Sequence, residues 1–232
     1  MSSAGILPLA VAVALFSISH IVLSLPRPRS WLVAWLGETT FRALYSAVAL
    51  ALLFWAALAY RDAPTIEVWY PPIGLKHLAL LTMPIASILL VAGLTTRGPS
   101  VIGGERSDAM KAAPVGIVKV TRHPVMWAIA LWGTAHLLAN GDAASIILFG
   151  GITLLALTGA AARDAKRRLQ FGAEWQRFAE RTSYFPLAAL VRKRTRLTFG
   201  EIGWWRIALG LGLFAFLLWL HPWLFGVTPL PV

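Results

Sequence analysis

The hydrophobic positions of the chain are gathered into long apolar runs that are separated by shorter polar stretches. A transmembrane α-helix needs about 20 consecutive apolar residues. Six runs of about this length occur, at residues 6–25, 39–60, 75–94, 124–139, 143–162 and 205–224. The pattern predicts an all-α, polytopic membrane protein with about six transmembrane helices. The fourth run is the shortest, so we expect the chain around His123 to dip into the membrane or to start its helix below the surface.

The stretch after the fifth run, residues 163–183, predicts a helix of another kind. Phe171, Trp175 and Phe178 fall on one helical face, and Lys and Arg residues lie outside it. This pattern is typical of an amphipathic helix on a membrane surface, here the cytoplasmic one, with its apolar face against lipid or the bundle. A basic linker follows. We therefore divide the chain into a membrane domain at residues 1–190 and a linker with the last transmembrane helix at 191–232.

The composition supports a membrane protein and narrows its possible chemistry. Of the 232 residues, 58% are hydrophobic and 13% are charged, whereas soluble domains have about 25% charged residues. Cysteine is absent, which excludes disulfides and thiolate metal sites. Ligands for a metal or a haem iron would have to come from histidine, methionine or oxygen atoms.

The 21 Lys and Arg residues are distributed unevenly between the two sides of the predicted bundle. Nineteen follow the first, third and fifth helices, and the other side has only Arg61 and Lys76. Because Lys and Arg favour the cytoplasmic side, both termini are expected outside the cytoplasm. The distribution explains the net charge of +11 without nucleic acid, and it makes anionic lipid the expected partner. The loop at residues 95–121 is long enough to be a lid or a linker.

The first predicted helix carries an ionisable side chain, His20, within its apolar run. Such residues are costly in a membrane, which makes them candidates for function. Ser17, His20 and Ser24 share one helical face, so this polar stripe should face the bundle interior. His20 either ligates a cofactor or forms a hydrogen bond with a helix carbonyl.

The fourth predicted helix carries the second intramembrane histidine, His136, on the face of Trp132 and Gly133. Gly133 lies about one turn before His136. It either leaves room for a flat ligand or forms a close helix–helix contact. His20 and His136 together could supply the two axial nitrogens of a b-type haem.

The fourth helix begins with the polar sequence Arg122-His123-Pro124. Proline is common in the first turn of a helix. Arg122 and His123 at this helix start could bind an anionic group, which is either a cofactor carboxylate such as a haem propionate or a lipid phosphate. His77 and His221 lie at the outer ends of their helices and are expected to be interfacial.

Several short motifs in residues 5–190 resemble those of the NnrU family of membrane proteins. The most specific are Thr121-Arg122-His123-Pro124, Ala135-His136 and Asn140-Gly141-Asp142. The resemblance implies a bacterial inner-membrane protein linked to nitrite and nitric oxide respiration, with respiratory proteins as partners. The family also includes 15-cis-zeta-carotene isomerase, a haem b protein.

The resemblance to that isomerase implies two haem ligands, since its first-helix histidine matches His20 and its second matches His136. The isomerase also has an alternative cysteine ligand three residues before the second histidine. Gly133 stands at that position here. This difference argues against the same redox switch, and therefore against the same isomerase chemistry.

A looser resemblance connects the chain to isoprenylcysteine and phospholipid methyltransferases. The similar features are the Arg122-His123-Pro124 helix start and the stretch at residues 169–186. In those enzymes both stretches help to bind S-adenosylmethionine. Their usual pair of glutamates is absent, and Arg163-Asp164 lies near that position.

The preferred hypothesis is an NnrU-like membrane protein that binds haem b through His20 and His136 in nitrogen-oxide metabolism. The alternatives are a haem-dependent carotenoid isomerase, a methyltransferase that uses S-adenosylmethionine, and a scaffold without a cofactor. The predicted topology puts His20 near the inner end of its helix and His136 about 20 Å above His123. His20 with His123 is therefore a second possible ligand pair.

Overall fold

The apolar runs form long helices in the computed structural model, which describes residues 5–96 and 113–230. Most of the loop at 95–121 lies outside the described residues, including Arg97, Arg106 and Lys111. The first four helices are α1 (Leu7–Ser24), α2 (Pro26–Leu36), α3 (Glu38–Arg61) and α4 (Ile73–Thr95). The helices after the gap are α5 (Ile117–Val120), α6 (Pro124–Asn140), α7 (Ala143–Arg181), α8 (Ala188–Val191), α9 (Phe199–Ile202) and α10 (Trp204–Phe225).

The all-α, membrane-spanning architecture predicted from the apolar runs is confirmed. Five described helices, α1, α3, α4, α7 and α10, are long and apolar enough to cross a membrane. The fourth predicted span is α6, which has 17 residues and is the shortest of the six. The stretch after α1 differs from the expected loop, because residues 26–36 form helix α2. Pro26 and Pro28 lie in its first turn, where a missing N–H leaves no helical bond unmade.

The six long helices lie side by side in one row, and their order in the row differs from their order in the chain. The principal contacts join α3 to α1, α1 to α7, α7 to α6, α6 to α4, and α4 to α10. Helix α7 therefore lies between α1 and α6. Because long helices that are consecutive in the chain run in opposite directions, one end of the bundle holds residues 25–37, 113–123 and 182–203. The other end holds residues 62–72, 141–142 and the segment after Phe225. We call the first of these the inner end and the second the outer end.

Close glycine contacts hold most of these interfaces together. A Cβ atom added to any of four glycines would fall within 3 Å of an atom on the neighbouring helix. The contacts are Gly210 with Ile88 on α4, Gly93 with Val125 on α6, Gly133 with Thr153 and Phe149 on α7, and Gly151 with Val13 on α1. Because lipid tails are as apolar as the helices, such close backbone packing is a main source of association energy in membranes.

The amphipathic stretch predicted at 163–183 is helical, but its apolar face is buried inside the protein. It continues α7 without a break to Gly172, where φ is +50° and the helix kinks. Trp175 and Phe178 are only 1% and 3% exposed, and they pack in one cluster with Ile117, Val118 and Leu89. Of the two surroundings expected for this face, lipid or the bundle, the structure shows the bundle. The face packs against the segment that leads into α6.

The Asn140-Gly141-Asp142 motif forms a turn at the outer end of the bundle. Gly141 has φ +75°, and a Cβ there would overlap the carbonyl oxygen of Trp69, so only glycine fits. The Asp142 carboxylate accepts bonds from the backbone N–H and the hydroxyl of Ser145, which caps the start of α7. Asn140 donates to Ser145 and to Tyr60 on α3. The motif thus connects three helices and is fully engaged in structure.

We expect reporter fusions to place residues 182–203 in the cytoplasm and residue 232 outside it. The reason is the preference of Lys and Arg for the cytoplasmic side. A reporter that is active only in the periplasm should be inactive when fused after Arg194 and active when fused after Val232. Activity after Arg194 would contradict the assignment.

Candidate functional site

The polar turn at Thr121-Arg122-His123 is held tightly against the segment that follows α7. The Thr121 hydroxyl donates to the carbonyl of Tyr184 at 2.8 Å and accepts from the backbone N–H of His123 at 3.2 Å. The Arg122 N–H donates to the carbonyl of Ser183 at 2.9 Å. Pro124 then starts α6. These bonds fix the backbone that presents the Arg122 and His123 side chains.

The Asp164 carboxylate on α7 accepts bonds from both of these side chains. His123 donates through Nε2 to Oδ1 at 2.7 Å. Arg122 donates to Oδ2 through Nε at 2.8 Å and through a second guanidinium nitrogen. The three side chains are well buried, with exposed fractions of 13% for Arg122, 11% for Asp164 and none for His123. We name this cluster of Arg122, His123 and Asp164 the inner triad.

The inner triad lies in an aromatic environment. The Arg122 guanidinium is 6.0 Å from the ring centre of Trp175, and the His123 ring contacts Tyr184 edge-on. Trp127 donates its indole N–H to the Tyr184 carbonyl at 2.8 Å. The Asp164 carboxylate therefore provides an anion of the chain itself at Arg122 and His123.

His123 keeps one ring nitrogen without a partner. Nδ1 is completely enclosed and makes no hydrogen bond within the described residues, while Nε2 is bonded to Asp164. Burial lowers the pKa of His123 below its usual 6.5, and this outweighs the opposing effect of Asp164. A neutral imidazole that donates through Nε2 has a lone pair on Nδ1. Such a nitrogen can accept a proton or bind a metal, and a carboxylate that orients the ring assists both roles.

His20 lies near the inner end of α1, within the polar stripe that was predicted. Its Nδ1 is 2.8 Å from the carbonyl of Phe16 one turn earlier, and its ring contacts those of Phe16 and Tyr45. If Nδ1 carries the proton, Nε2 has a free lone pair. The side chain is half-buried at the contact between α1 and α3.

His136 lies near the outer end of α6 and has the same local geometry. Its Nδ1 is 2.8 Å from the carbonyl of Trp132, and its ring stacks on Phe149 of α7 with centres 4.9 Å apart. The face of Gly133 is covered by Phe149 and Thr153. In this arrangement Gly133 is a helix–helix contact, and a flat ligand would reach it only if α6 and α7 separated.

The donor chemistry of His20 and His136 fits haem b, but their spacing does not fit a single iron. A haem-ligating histidine commonly donates its other N–H to a carbonyl, as both do here. Val13 on α1 contacts Gly151 on α7, and His136 contacts Phe149 on α7, so the members of each pair lie at the same depth along the helices. Along these helices His20 and His136 therefore differ in depth by about 14 Å, with α7 between them. In this packing the two imidazoles cannot bind the same iron.

Asp164 is the residue that sequence analysis noted without assigning it a role. In the sequence it is distinguished only as an acidic residue that follows an apolar run and lies in an otherwise basic stretch. Sequence spacing could not connect it to Arg122 or His123, which are about 40 positions earlier. Only the packing of α7 against the start of α6 brings the three together.

Comparisons with known proteins support the motif-based resemblance. The family model described as NnrU protein matches residues 8–229, which includes the last helix. Among curated proteins, the chain is similar to the chloroplastic 15-cis-zeta-carotene isomerase of Zea mays, with 32% identity over 82 residues. That match covers 35% of this chain and about a fifth of the relative's length, 22%. No solved structure matches.

We expect Asp164→Asn to destabilise the protein by about 3 kcal/mol, because it leaves a buried guanidinium without its counter-ion. Thermal unfolding of purified protein in detergent measures this change. Asp62→Asn is the matched control, since Asp62 pairs with Arg61 in an exposed position and should contribute less than about 1 kcal/mol. Equal effects of the two variants would show that the inner triad does not stabilise the fold.

We also expect the folded state to lose stability as the pH falls below about 6.5. The pKa of His123 is lowered in the folded protein, so the unfolded chain binds the proton more readily and acid favours unfolding. The measurement is the difference in unfolding temperature between pH 7.5 and pH 5.5. His123→Gln should reduce that difference, whereas His77→Gln, which changes an exposed histidine, should leave it unaltered.

Proposed function

The chain belongs to the NnrU family, and we propose that it is a haem b-binding protein of the bacterial inner membrane that acts in nitrite and nitric oxide metabolism. Two imidazoles inside membrane helices carry the haem proposal. Each has Nδ1 against a carbonyl of its own helix, which directs the Nε2 lone pair away from the backbone. The metabolic role and the respiratory protein partners rest on the family resemblance.

His20 and His136 are the proposed axial ligands. Bound haem would supply an iron that can change oxidation state or bind a small gas molecule. The His136 ring stacks on Phe149 in the present packing, so binding at His136 requires α6 and α7 to separate. Coordination of the same iron by both residues requires α1 to shift along α7 as well. The proposal therefore has two forms, which differ in the spin state of the iron. His123 has a different role in both, because its Nε2 is committed to Asp164.

The isomerase alternative is supported by the similarity to the maize enzyme, whose name gives its activity as isomerisation of 15-cis-zeta-carotene. The shared segment is only 22% of that enzyme's length. Gly133 also replaces the cysteine that the isomerase has as an alternative ligand. We therefore favour a haem protein without that ligand switch.

A visible spectrum of protein purified after expression with added haem tests the proposal. We expect a Soret band that His136→Ala abolishes and that His77→Ala, at an exposed histidine, leaves intact. A low-spin spectrum that becomes high-spin in His20→Ala would identify coordination by both residues. A high-spin spectrum that His20→Ala does not change would identify His136 alone.

Two results would contradict the haem proposal or its ligands. Absence of a Soret band in the wild-type protein would leave the histidines with packing roles only, as in a scaffold. A Soret band that is lost in His123→Ala and retained in His136→Ala would mean that the wrong histidine was assigned.

A second candidate function, methyl transfer from S-adenosylmethionine, is favoured by one specific observation. The two stretches that resemble methyltransferases are in contact: the Arg122 N–H donates to the Ser183 carbonyl, and the His123 ring contacts Tyr184. The enclosed Nδ1 of His123 is a base at their junction. The glutamate pair of those enzymes is missing, which makes this the weaker candidate.

Calorimetry with S-adenosylmethionine separates the two candidates. We expect no heat of binding at micromolar cofactor, since Asp164 already pairs with both Arg122 and His123. Binding at micromolar affinity that Arg122→Gln abolishes and Arg61→Gln leaves unchanged would replace the haem proposal with the methyltransferase.

A further inference from the structure

Arg167 differs from the other buried charged residues at the inner end of α7. The buried charged or ionisable side chains in the described part of the chain are His123, Asp164 and Arg167, and Arg167 is 6% exposed. His123 and Asp164 bond to each other. Arg167 makes neither an ion pair nor a hydrogen bond with another described residue, and its guanidinium lies 5.5 Å from the ring centre of Phe171.

Asp164 cannot compensate this charge. It is one turn from Arg167 on the same face of α7, but Oδ1 is taken by His123 and Oδ2 by Arg122. A guanidinium has five N–H donors and no acceptor. Burial of a cation without a counter-ion is costly, and no Arg167 nitrogen is among the fully enclosed unpartnered atoms of the described residues, so an anion from outside can reach the guanidinium. The inner triad with Arg167 therefore has an excess of one positive charge if His123 is neutral, and an anion would complete it.

The depth of Arg167 indicates the class of anion. The apolar run of α7 ends at residue 162, and Arg167 lies five residues further, about 7 Å beyond it. That is the depth of the lipid headgroups. It is also the side on which the Lys and Arg residues of the chain are concentrated. Phosphate is the anionic group of this layer, and a planar guanidinium binds it with two parallel hydrogen bonds.

We propose that Arg167 is a binding site for a phosphate-bearing anion, which is either the headgroup of an anionic phospholipid or free phosphate. The Phe171 ring packs against the guanidinium. Asp164 and its two partners lie one helical turn away and form the side of the site. The site is separate from His20 and His136, so it does not depend on the haem proposal. Its ligand would attach the kinked end of α7 to the membrane surface.

Native mass spectrometry of the full-length protein in detergent tests the site with phosphatidylglycerol as the probe and phosphatidylcholine as the neutral control. We expect the wild type to retain phosphatidylglycerol in preference to phosphatidylcholine. Arg167→Gln should weaken that retention about tenfold, the loss of one charge-assisted contact. Arg167→Lys should be intermediate, since it keeps the charge and loses the paired bonds. Arg168→Gln is the matched control, because it removes the same charge from the exposed next position.

Competition with inorganic phosphate distinguishes the two sources of the anion. If phosphate alone raises the unfolding temperature of the wild type and displaces the lipid, free phosphate is a ligand. If it does neither while phosphatidylglycerol is retained, the lipid headgroup is the ligand. Equal weakening by Arg167→Gln and Arg168→Gln would indicate a general charge effect and overturn the proposal. Should Arg167→Gln fail to fold, a wild type without preference for phosphatidylglycerol and without response to phosphate would overturn it as well.

Discussion

The Asp164 carboxylate is the interaction on which the inner half of the protein depends. It accepts bonds from Arg122 and His123, and so connects α7 to the turn that starts α6. The apolar cluster around Trp175 and Phe178 is assembled on the same contact. An ion pair in this position is stable because both partners are satisfied together, and removal of either one leaves an uncompensated charge. The same constraint leaves Arg167 as a buried cation without an ion pair among the described residues.

The rest of the bundle depends on close contact rather than on charge. Helices in a membrane gain little from burial of apolar surface, since lipid is equally apolar, so the backbones must approach closely. Gly93, Gly133, Gly151 and Gly210 provide that approach at four successive interfaces of the row. The position of α7 in this row separates α1 from α6. It therefore also determines which histidines can share a ligand.

Two regions with different chemistry follow from this arrangement. The histidines of the membrane helices, His20 and His136, have the local geometry of iron ligands at two different depths. The inner triad forms a separate region with an oriented imidazole, a carboxylate and guanidinium groups beside an aromatic wall. The proposed haem ligands and the proposed anion site thus lie in different parts of the chain, and each can be tested without the other.

The sequence alone determined the class of the protein, the long helices and the side to which its charges belong, because run length and Lys and Arg placement are local properties. It also identified His123 and Arg122 as the start of a helix. It did not predict helix α2 or the partner of His123, and it left open whether Trp175 packs against lipid or the bundle. Those depend on which helices are neighbours. The order of the row is set by backbone contacts at single glycines, and only the tertiary structure brings Asp164 to Arg122 and puts α7 between His20 and His136.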